Sequence, residues 1–555
     1  MSEIGILKRR DLIKLSPLAM VGAVGYVSVA DAQTEHHVAA AFYDVRDFGA
    51  SGDGKTIDTV SINRAIEVIS SNGGGTLVFP AGTYICFTIR LRSYVDLYLS
   101  RGVTIVAADS PKRGEHTGYN GGTYDAAESD TPWTPYQDYG HNHWRNSLFY
   151  AEDQHDFSVL GPGLIYGKGL SHGSAEIPSG YYPFVAEQPG VGNKAFGLKS
   201  CHNVILRDFA ILKGGHFAVL ATGVDNLIID NLLIDTDRDG LDIDCCRNVR
   251  ISNCTVNSPW DDGICPKSSY ALGYPRATEN VTVSNNFVCG CYEIGSVVAD
   301  TWKRFPDDAR VPRQGRIKCG TESNGGFRNI TISGNVIEGC KGISLESSDG
   351  ALLEDISITG NTMRDIVDAP LFLRLNRRNR NPKETLRFGT VRRILVSNLV
   401  SHNSASSTAP VFSGIRSNLI EDVKLSNCYF GHEGLPAKMR VGWGESVAPM
   451  PAWQSIHVPE LEASYPELLQ FGPTPSHGFF IRHLRNLEMS HIEIAPANQD
   501  PRPAFWLEDV HRADFFAITA PHQSNFSLHD VQDFRLAWSR AAKDISLLNA
   551  NDQIV

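Results

Sequence analysis

Six aspartates fall between residues 237 and 269, among valines, isoleucines and cysteines that are typical of a protein core. Asp239 and Asp261 are 22 residues apart, and Asp262 follows directly. Carboxylates held close together raise one another's proton affinity, so one can carry a proton while another is ionised. Bonding to turn amides explains adjacent like charges poorly, because one aspartate would suffice for that purpose. We therefore predict that Asp239, Asp261 and Asp262 are catalytic.

A short phrase, an Asn or Asp followed by alternating branched apolar residues, recurs along the chain. Its copies begin at Asn203, Asn226, Asn248, Asn280, Asn329, Asp355, Asp422 and Asn486. The first two intervals are 23 and 22 residues, and the alternation between Gly, Asn and Asp turns indicates strands. A repeat of this length is typical of a solenoid. The sequence therefore predicts an all-β chain folded as a parallel β-helix, with coils about 4.8 Å apart.

The repeat also predicts how the aspartates and the flanking elements are placed. Asp239 and Asp261, one unit apart, should lie side by side on adjacent coils, and Asp262 joins them if the backbone bends there. An amphipathic helix over 58–69 should cap the N-terminal coil, with Gly73–Gly75 as its stop. Loop insertions near 107–146 and 431–477 should rise around the cleft.

Composition and the N-terminus restrict the cellular setting. The 555-residue chain carries a formal net charge of -11, which gives no support for nucleic-acid binding. Lys8, Arg9 and Arg10 precede an apolar run that is too short to span a membrane, and Ala30–Ala32 offers a cleavage site. We predict a twin-arginine-type export signal at 1–32 and one β-helix domain at 33–555, exported to the periplasm or secreted, with no membrane partner.

Other residue types point mainly to structural roles. The eleven cysteines are odd in number and lie in strand-like runs, so we predict free buried thiols. His141 and His143 lack a third ligand, and we predict no metal, no cofactor and a monomer. The basic run Arg374–Lys383 fits a solvated face better than a binding site for an acidic ligand. Several aromatic residues could stack on the rings of a ligand: Trp133, Tyr136, Trp144, Trp260 and Trp302.

Several segments also resemble glycoside hydrolase family 28, the polygalacturonase and rhamnogalacturonan hydrolase family, over about residues 42–365. The matching segments are Asp44–Ala50, Gly52–Lys55, Gly73–Tyr84, Asp237–Gly240 for Asn-Thr-Asp-Gly, Asp261–Asp262 with Lys267–Ser268, Arg316–Lys318 for Arg-Ile-Lys, Gly325–Gly326 and Asn329–Ile330. Each motif is short, and their specificity lies in the shared order. Two positions depart from the family pattern: Cys289 stands where the family has His, and Trp260 where it has Gly.

The resemblance implies a right-handed parallel β-helix and assigns roles. Asp261 is the proton donor, and Asp239 with Asp262 holds the attacking water. Arg316 and Lys318 alternate along a strand, so both should face the cleft and bind a sugar carboxylate. An ion pair with the aspartates themselves is the alternative. Lys267 and Trp260 are the other predicted substrate-binding residues.

The expected activity is inverting hydrolysis of an α-linked galacturonic-acid-containing polysaccharide: pectin, polygalacturonate or rhamnogalacturonan. Inversion needs room for water, and a trio spread over two coils should exceed the separation of about 5 Å that a nucleophile needs. Trp260 and the insertions favour attack from a chain end. A polysaccharide lyase on the same scaffold and a non-catalytic glycan-binding solenoid are the alternatives.

Overall fold

Successive turns of the chain stack so that their strands pair in parallel. The strand Phe217–Thr222 pairs with Asp239–Asp244 of the next turn, and Asp225–Asp230 pairs with Arg247–Ser252. Three walls result, each built from one short strand per turn, and apolar side chains from all three fill the space between them. The predicted fold class, an all-β parallel β-helix with an N-terminal capping helix, is confirmed.

The computed structural model describes residues 41–172, 184–521 and 525–555. The predicted export signal at 1–32 and the first residues of the predicted domain lie outside the described residues. The described residues all belong to one compact unit. Within the described ranges, no helix is both long enough and apolar enough to cross a bilayer.

The first wall, named the cleft wall, carries the predicted catalytic residues. Its strands are Ile89–Arg90, Ser147–Glu152, Lys194–Lys199, Phe217–Thr222, Asp239–Asp244, Ile264–Lys267, Ile317–Cys319, Ile343–Ser347, Leu371–Leu375 and Val411–Ser413, continuing into Phe479–Pro496. Leu241, Ile243 and Ile264 point inward and are fully buried. The residues between them point outward, away from the core.

The second wall, named the ladder wall, is the longest. Its strands are Phe42–Asp44, Gly75–Phe79, Val95–Leu99, His155–Leu160, His202–Arg207, Asp225–Asp230, Arg247–Ser252, Thr278–Ser284, Phe327–Ser333, Leu352–Thr359, Thr390–Ser397, Ile420–His432, Phe479–Pro496, Phe505–Phe516 and Phe526–Ala537. Ile545–Ala550 and Gln553–Ile554 then pair antiparallel with Phe526–Ala537.

The third wall completes each turn with mostly three-residue strands. They are Asp53–Ile57, Gly82–Cys86, Val103–Ala107, Leu164–Tyr166, Ala210–Leu212, Leu233–Asp235, Thr255–Asn257, Phe287–Cys289, Val336–Glu338, Thr362–Arg364 and Val400–Ser404, which pairs with the end of Ile420–His432. Asp261 and Asp262 lie in a turn from this wall back to the cleft wall, and Asp239 begins the cleft-wall strand Asp239–Asp244.

The repeated Asn of the sequence phrase forms a ladder of amide hydrogen bonds. Nδ2 of Asn226 donates to Oδ1 of Asn203 at 2.9 Å, and Nδ2 of Asn248 donates to Oδ1 of Asn226 at 3.2 Å. These residues have φ near +55°, a left-handed conformation that Asn tolerates better than most residues. The repeat therefore encodes both a turn and a contact between coils.

The N-terminal cap is the helix Thr59–Ser71, with Ile62, Ala65, Ile66 and Ile69 buried against the first coil. Asp58 precedes the helix, but its carboxylate accepts from the backbone N–H groups of Ser51 and Gly52 rather than from the first helical turn. The predicted helix is thus present and ends two residues later than expected.

The remaining short elements lie in connections. The 3-10 helices are Val45–Phe48, Tyr119–Gly121, Thr134–Tyr136, Tyr139–His141, Lys383–Thr385, Trp453–Ser455 and Leu468–Phe471, and the strands Lys438–Val441 and Ser446–Pro449 form an antiparallel hairpin. The predicted insertion near 431–477 contains this hairpin. All eleven cysteines are free and buried, as predicted.

Candidate functional site

The outward face of the cleft wall is charged yet buried. Asp242 and Asp244 are fully inaccessible, and Lys267 and Lys318 are nearly so. The reason is that both insertions fold over this face: the cavity in front of it is lined by Asp138 from one insertion and by Trp443 and Tyr465 from the other. The many aspartates are therefore on a wall that faces a covered cleft, not in the apolar core.

The register of neighbouring coils differs by one residue from the predicted alignment. Leu241 pairs with Ile264, which puts Asp239 level with Asp262 rather than with Asp261. The backbone N–H of Asp262 donates to Oδ1 of Asp239 at 3.1 Å, as this register requires. The side-by-side placement of Asp239 and Asp261 is therefore wrong, although all three carboxyl groups converge as expected.

The carboxyl groups of Asp239, Asp261 and Asp262 lie closer together than predicted. One oxygen from each lies within 4.8 Å of the others, so the expected separation beyond about 5 Å is not found between these oxygens. Asp239 and Asp262 are buried, while the Asp261 side chain is 24% exposed. Asp261 is the member of the trio that lines the cavity.

Arg238 is level with Asp261 by the same register and holds its carboxylate. Nη2 and Nε of Arg238 donate to Oδ2 of Asp261 at 2.7 and 3.2 Å. The sequence placed Arg238 within the loosely matched Asn-Thr-Asp-Gly motif but gave it no role. Its position beside the predicted proton donor could have been found only from the register.

Arg316 and Lys318 face the cleft as predicted and line the cavity. Both are also bonded to Asp262: Nε of Arg316 donates to Oδ1 at 2.6 Å, and Nζ of Lys318 donates to Oδ2 at 2.9 Å. The ion pair with the aspartates, the alternative interpretation, is therefore present in the structure. Binding of a sugar carboxylate by these two side chains stays a prediction.

Glu467, from the 431–477 insertion, completes this network. Its carboxylate accepts from Nη2 of Arg316 at 2.9 Å and from Nζ of Lys341 at 2.8 Å, and it is fully buried. Nζ of Lys318 also donates to the hydroxyl of Tyr465 at 3.4 Å. Neither Glu467 nor Tyr465 was found from the sequence, because contacts across about 150 residues leave no local pattern.

Lys267 lies beneath the cavity rather than on its surface. Its Nζ is 3.5 Å from Oε2 of Glu322 and 3.8 Å from Oδ2 of Asp242. Nε2 of His141 lies 3.8 Å from the same Asp242 oxygen. The Asp242 oxygens accept no hydrogen bond from any described residue. Direct substrate binding by Lys267 therefore stays a prediction.

The surroundings of the three carboxyl groups shift their pKa values in different directions. Burial, with Asp242 and Asp261 nearby, raises the pKa of Asp239 well above its usual value. Burial would also raise the pKa of Asp261, but the cations Arg238, Lys318 and Lys267 together lower it below its usual value. In the same way, Arg316, Lys318 and Lys267 together outweigh burial and lower the pKa of Asp262. These shifts favour the protonated form of Asp239 and the ionised forms of Asp261 and Asp262.

The cavity in front of Asp261 has a volume of about 1090 Å³, at the upper end of the range for ligand sites. Trp260 lines it, with its ring edge-to-face against Phe305. Trp443 is a second lining aromatic that the sequence did not single out. Trp144 is instead buried and donates to Thr222, so its role is packing.

The basic run is only in part the solvated face that was expected, since Lys383 is exposed and Arg377 is 36% exposed. Arg374 lies in a strand of the cleft wall, is fully buried and donates to the Ser413 hydroxyl. Arg378 is also buried and pairs with Asp349, because the insertion covers this stretch as well. Arg380 lines the cavity and pairs with Asp138 at 3.3 Å.

The trio is compact enough to hold a cation, but its oxygens are already engaged. Arg238, Arg316 and Lys318 would all have to give way to a metal ion at Asp261 and Asp262. His141 and His143 do not converge, because His143 stacks on Tyr139 while His141 approaches Asp242. Two other groups could hold a metal by proximity, and they are His155, Asp156 and His202, and His432, His477 and Asp500.

Comparison with known proteins agrees with this geometry. The family model described as rhamnogalacturonase A/epimerase, pectate lyase-like, matches residues 42–110. A Vitis vinifera protein named "Probable polygalacturonase" is 24% identical over 342 residues, which are 57% of this chain and 60% of that protein. The chain thus spans less than two thirds of this relative.

Two solved structures share the fold. An exopolygalacturonase from Thermotoga maritima has a TM-score of 0.55 and 20% identity, covering 71% of this chain and 87% of that one. A family 28 exopolygalacturonase from Yersinia enterocolitica has a TM-score of 0.56 and 16% identity, covering 86% and 78%. The resemblance to glycoside hydrolase family 28 is confirmed. The chain folds as a parallel β-helix and is similar to these polygalacturonases.

The buried position of Glu467 generates a stability prediction. We expect Glu467→Gln to lower the free energy of unfolding by about 3 to 5 kcal/mol, because it leaves Arg316 and Lys341 buried with one partner removed. Denaturant titration measures this loss. The matched control is Glu462→Gln, which removes a partner of the part-exposed Arg377 and should cost no more than about 1 kcal/mol.

The same variant has a pH signature. Burial would raise the pKa of Glu467, but Arg316 and Lys341 lower it from 4.5 to about 2. A carboxyl with a depressed pKa contributes stability above its unfolded pKa and loses it as the pH falls toward the folded value. The wild-type protein should lose this contribution to its free energy of unfolding between about pH 4.5 and 2. The Glu467→Gln variant lacks the carboxyl group and should show no such loss. Equal acid sensitivity of the two proteins would contradict the assignment.

Proposed function

We propose that the protein hydrolyses α-linked galacturonic-acid-containing polysaccharide: pectin, polygalacturonate or rhamnogalacturonan. The observation that carries the proposal is the convergence of Asp239, Asp261 and Asp262 on the floor of a large covered cleft. Carboxyl groups with divergent pKa values at one site can act as acid and base in the same reaction. The polygalacturonase-like fold and the motif order support the substrate class.

In the proposed mechanism, Asp261 protonates the leaving glycosidic oxygen. It is the only one of the three whose side chain is substantially exposed to the cavity. Asp239 and Asp262, linked by the N–H of Asp262, orient the attacking water. Asp262 is held in place by Arg316 and Lys318, so these two residues act on the reaction at least through its position.

We propose inversion of the anomeric carbon and release from a chain end. Inversion is supported by the resemblance to family 28, whereas the short spacing of the carboxylate oxygens gives it no support. Chain-end attack is supported by the cavity lining, since Trp260 and three residues of the insertion, Trp443, Glu445 and Tyr465, all border the cavity. We also propose export by the segment 1–32.

A polysaccharide lyase is the second candidate, because the family model that matches residues 42–110 is described as pectate lyase-like. A lyase would need a basic side chain free to remove a proton. Arg316 and Lys318 are each bonded to Asp262, which speaks against that role. Formation of an unsaturated, ultraviolet-absorbing product would identify a lyase, and the absence of any new reducing ends would identify a glycan-binding solenoid.

The role of Asp261 predicts the effect of a single substitution. We expect Asp261→Asn to reduce turnover of polygalacturonate by about 100-fold or more, because the amide keeps the shape but cannot deliver a proton. Release of reducing ends measures the rate, and the thermal unfolding midpoint should change little.

Asp225→Asn is the matched control, since Asp225 also accepts from an arginine, Arg276, but lies outside the cavity. It should keep near wild-type activity. If Asp261→Asn retained more than about a tenth of the wild-type rate, Asp261 would not be the proton donor.

The stereochemical proposal predicts the first-formed sugar. Water attacking opposite the leaving oxygen should give the β anomer from an α-linked substrate. Proton NMR of the early product, before mutarotation, measures this directly. First appearance of the α anomer would mean retention, for which the close spacing of the carboxylates would then be the explanation.

The covered cleft predicts the mode of attack. We expect galacturonic acid to be released in small units while the polymer viscosity falls slowly relative to the reducing ends formed. An endopolygalacturonase assayed in parallel provides the reference slope. A rapid viscosity loss at low total cleavage requires cuts in mid-chain and would exclude chain-end attack.

A further inference from the structure

Arg238 stands where it conflicts with the reaction proposed above, on which this inference rests. It is bonded to Asp261, the proposed proton donor, and both side chains line the cavity with 24% of their surface exposed. A carboxylate paired with an arginine favours its ionised form. Asp261 therefore cannot act as an acid until this pair is broken.

The pair is built in a way that leaves it open to exchange. Nη2 and Nε of Arg238 both donate to the same oxygen of Asp261, Oδ2. Guanidinium groups bind carboxylates best when two N–H groups meet two oxygens. A carboxylate that entered the cavity and offered both oxygens would satisfy Arg238 better than Asp261 does.

The other cations of the cleft floor are less available. Arg316 is shared between Asp262 and Glu467, and it is buried. Lys318 is also buried, between Asp262 and Tyr465. Arg238, by contrast, combines cavity exposure with a single acceptor side chain, Asp261, among the described residues.

Removal of Arg238 would leave Asp261 facing the other charged groups of the site. Besides Arg238, they come from the cations Lys318 and Lys267 and from the carboxyl groups Asp239, Asp242 and Asp262. Lys318 already bonds Asp262, and Lys267 lies beside Asp242 and Glu322. Without Arg238, the surrounding carboxyl groups favour a protonated Asp261.

We propose that the carboxylate of a uronic-acid substrate draws Arg238 away from Asp261, and that the single proton of the trio then moves from Asp239 to Asp261. The oxygens lie within 4.8 Å of one another, a gap that one water molecule can bridge. Binding of the uronate thereby gives Asp261 the proton that it needs to act as the acid. A neutral sugar leaves Arg238 in place and the proton on Asp239.

The site holds the same number of protons before and after one turnover. Asp239 gives up a proton and becomes the carboxylate that orients water, while Asp261 gains it. Asp261 then protonates the leaving oxygen as the glycosidic bond breaks. The attacking water forms the new bond to the anomeric carbon and gives its proton to Asp239, which restores the starting state once Arg238 returns.

Binding tests the recognition step without requiring turnover. Calorimetry should compare a galacturonic acid oligosaccharide with its carboxyl-reduced counterpart. Replacing Arg238 by Ala should weaken uronate binding about 10- to 100-fold, the loss expected for a charge-assisted pair, and leave the reduced sugar unaffected. Arg276→Gln, which breaks an Arg–Asp pair outside the cavity, should change neither. Unchanged uronate binding in Arg238→Ala overturns the proposal.

Turnover tests the switch, because the two substrates should respond in opposite directions. In Arg238→Ala the kcat for the carboxyl-reduced oligosaccharide should rise about 10-fold or more, since an adjacent arginine lowers a carboxyl pKa by about 1 to 3 units. The kcat/KM for the uronate should fall. A merely structural Arg238 would lower both, and that result would overturn the proposal. If the Arg238→Ala variant does not fold, Arg238→Lys takes its place in both tests, because lysine keeps the positive charge but lacks the paired N–H groups of the guanidinium.

Infrared difference spectra separate this inference from the hydrolysis proposal. Adding the uronate to the wild-type protein should shift the band of one protonated carboxyl group, and Arg238→Ala should show no such shift. If the wild-type protein cleaves neither sugar, the hydrolysis proposal fails while binding and infrared data still decide the role of Arg238. Absence of the wild-type shift overturns the proton transfer.

Discussion

The burial of carboxylates on the outward face of the cleft wall is the constraint on which the site depends. An ionised group taken out of water must be met by an opposite charge or by hydrogen bonds, or it will take up a proton. Asp262 meets Arg316 and Lys318, and Arg316 in turn meets Glu467. The insertion that covers the cleft therefore also supplies the charge that makes the covering possible.

The same constraint explains why the three aspartates are not equivalent. Asp262 and Asp261 each have a cationic partner, whereas Asp239 has burial and neighbouring carboxyl groups around it. The pKa is raised at Asp239, the one carboxyl of the trio to which no described cation donates a hydrogen bond, although Lys267 lowers it in part. The chemical division of labour thus follows from where the coils place arginine and lysine, and an alternating strand is enough to bring Arg316 and Lys318 to the same face.

Most of the fold could be predicted from the sequence because its determinants are local and repeated. The Asn of each phrase adopts a left-handed turn and bonds the Asn of the next coil, so the repeat is visible without any long-range information. The convergence of the aspartates was also predictable. The register of the two coils was not predictable. Asp239 and Asp261 are one 22-residue repeat apart, but the turn before Ile264 is one residue longer than that repeat implies, so Asp262 is level with Asp239.

The insertions were predicted to rise around the cleft, but the contacts that their side chains make there could not be predicted, since those contacts join distant segments. Arg374 and Arg378 lie in a stretch that reads as a solvated basic run, yet both are buried. Glu467, Tyr465 and His141 come from insertions without repeat or motif. Their roles depend on where the insertions return to the wall, which the packing of the whole domain determines.

The most direct test of this account is the pH dependence of kcat/KM on a galacturonic acid oligosaccharide. A cluster that works with one retained proton and ionised partners predicts a bell-shaped profile. Activity should fall at low pH as the ionised carboxylates take up protons, and at high pH as the retained proton leaves. A profile that stayed flat across both limbs, in a protein that remained folded, would contradict the shared-proton cluster.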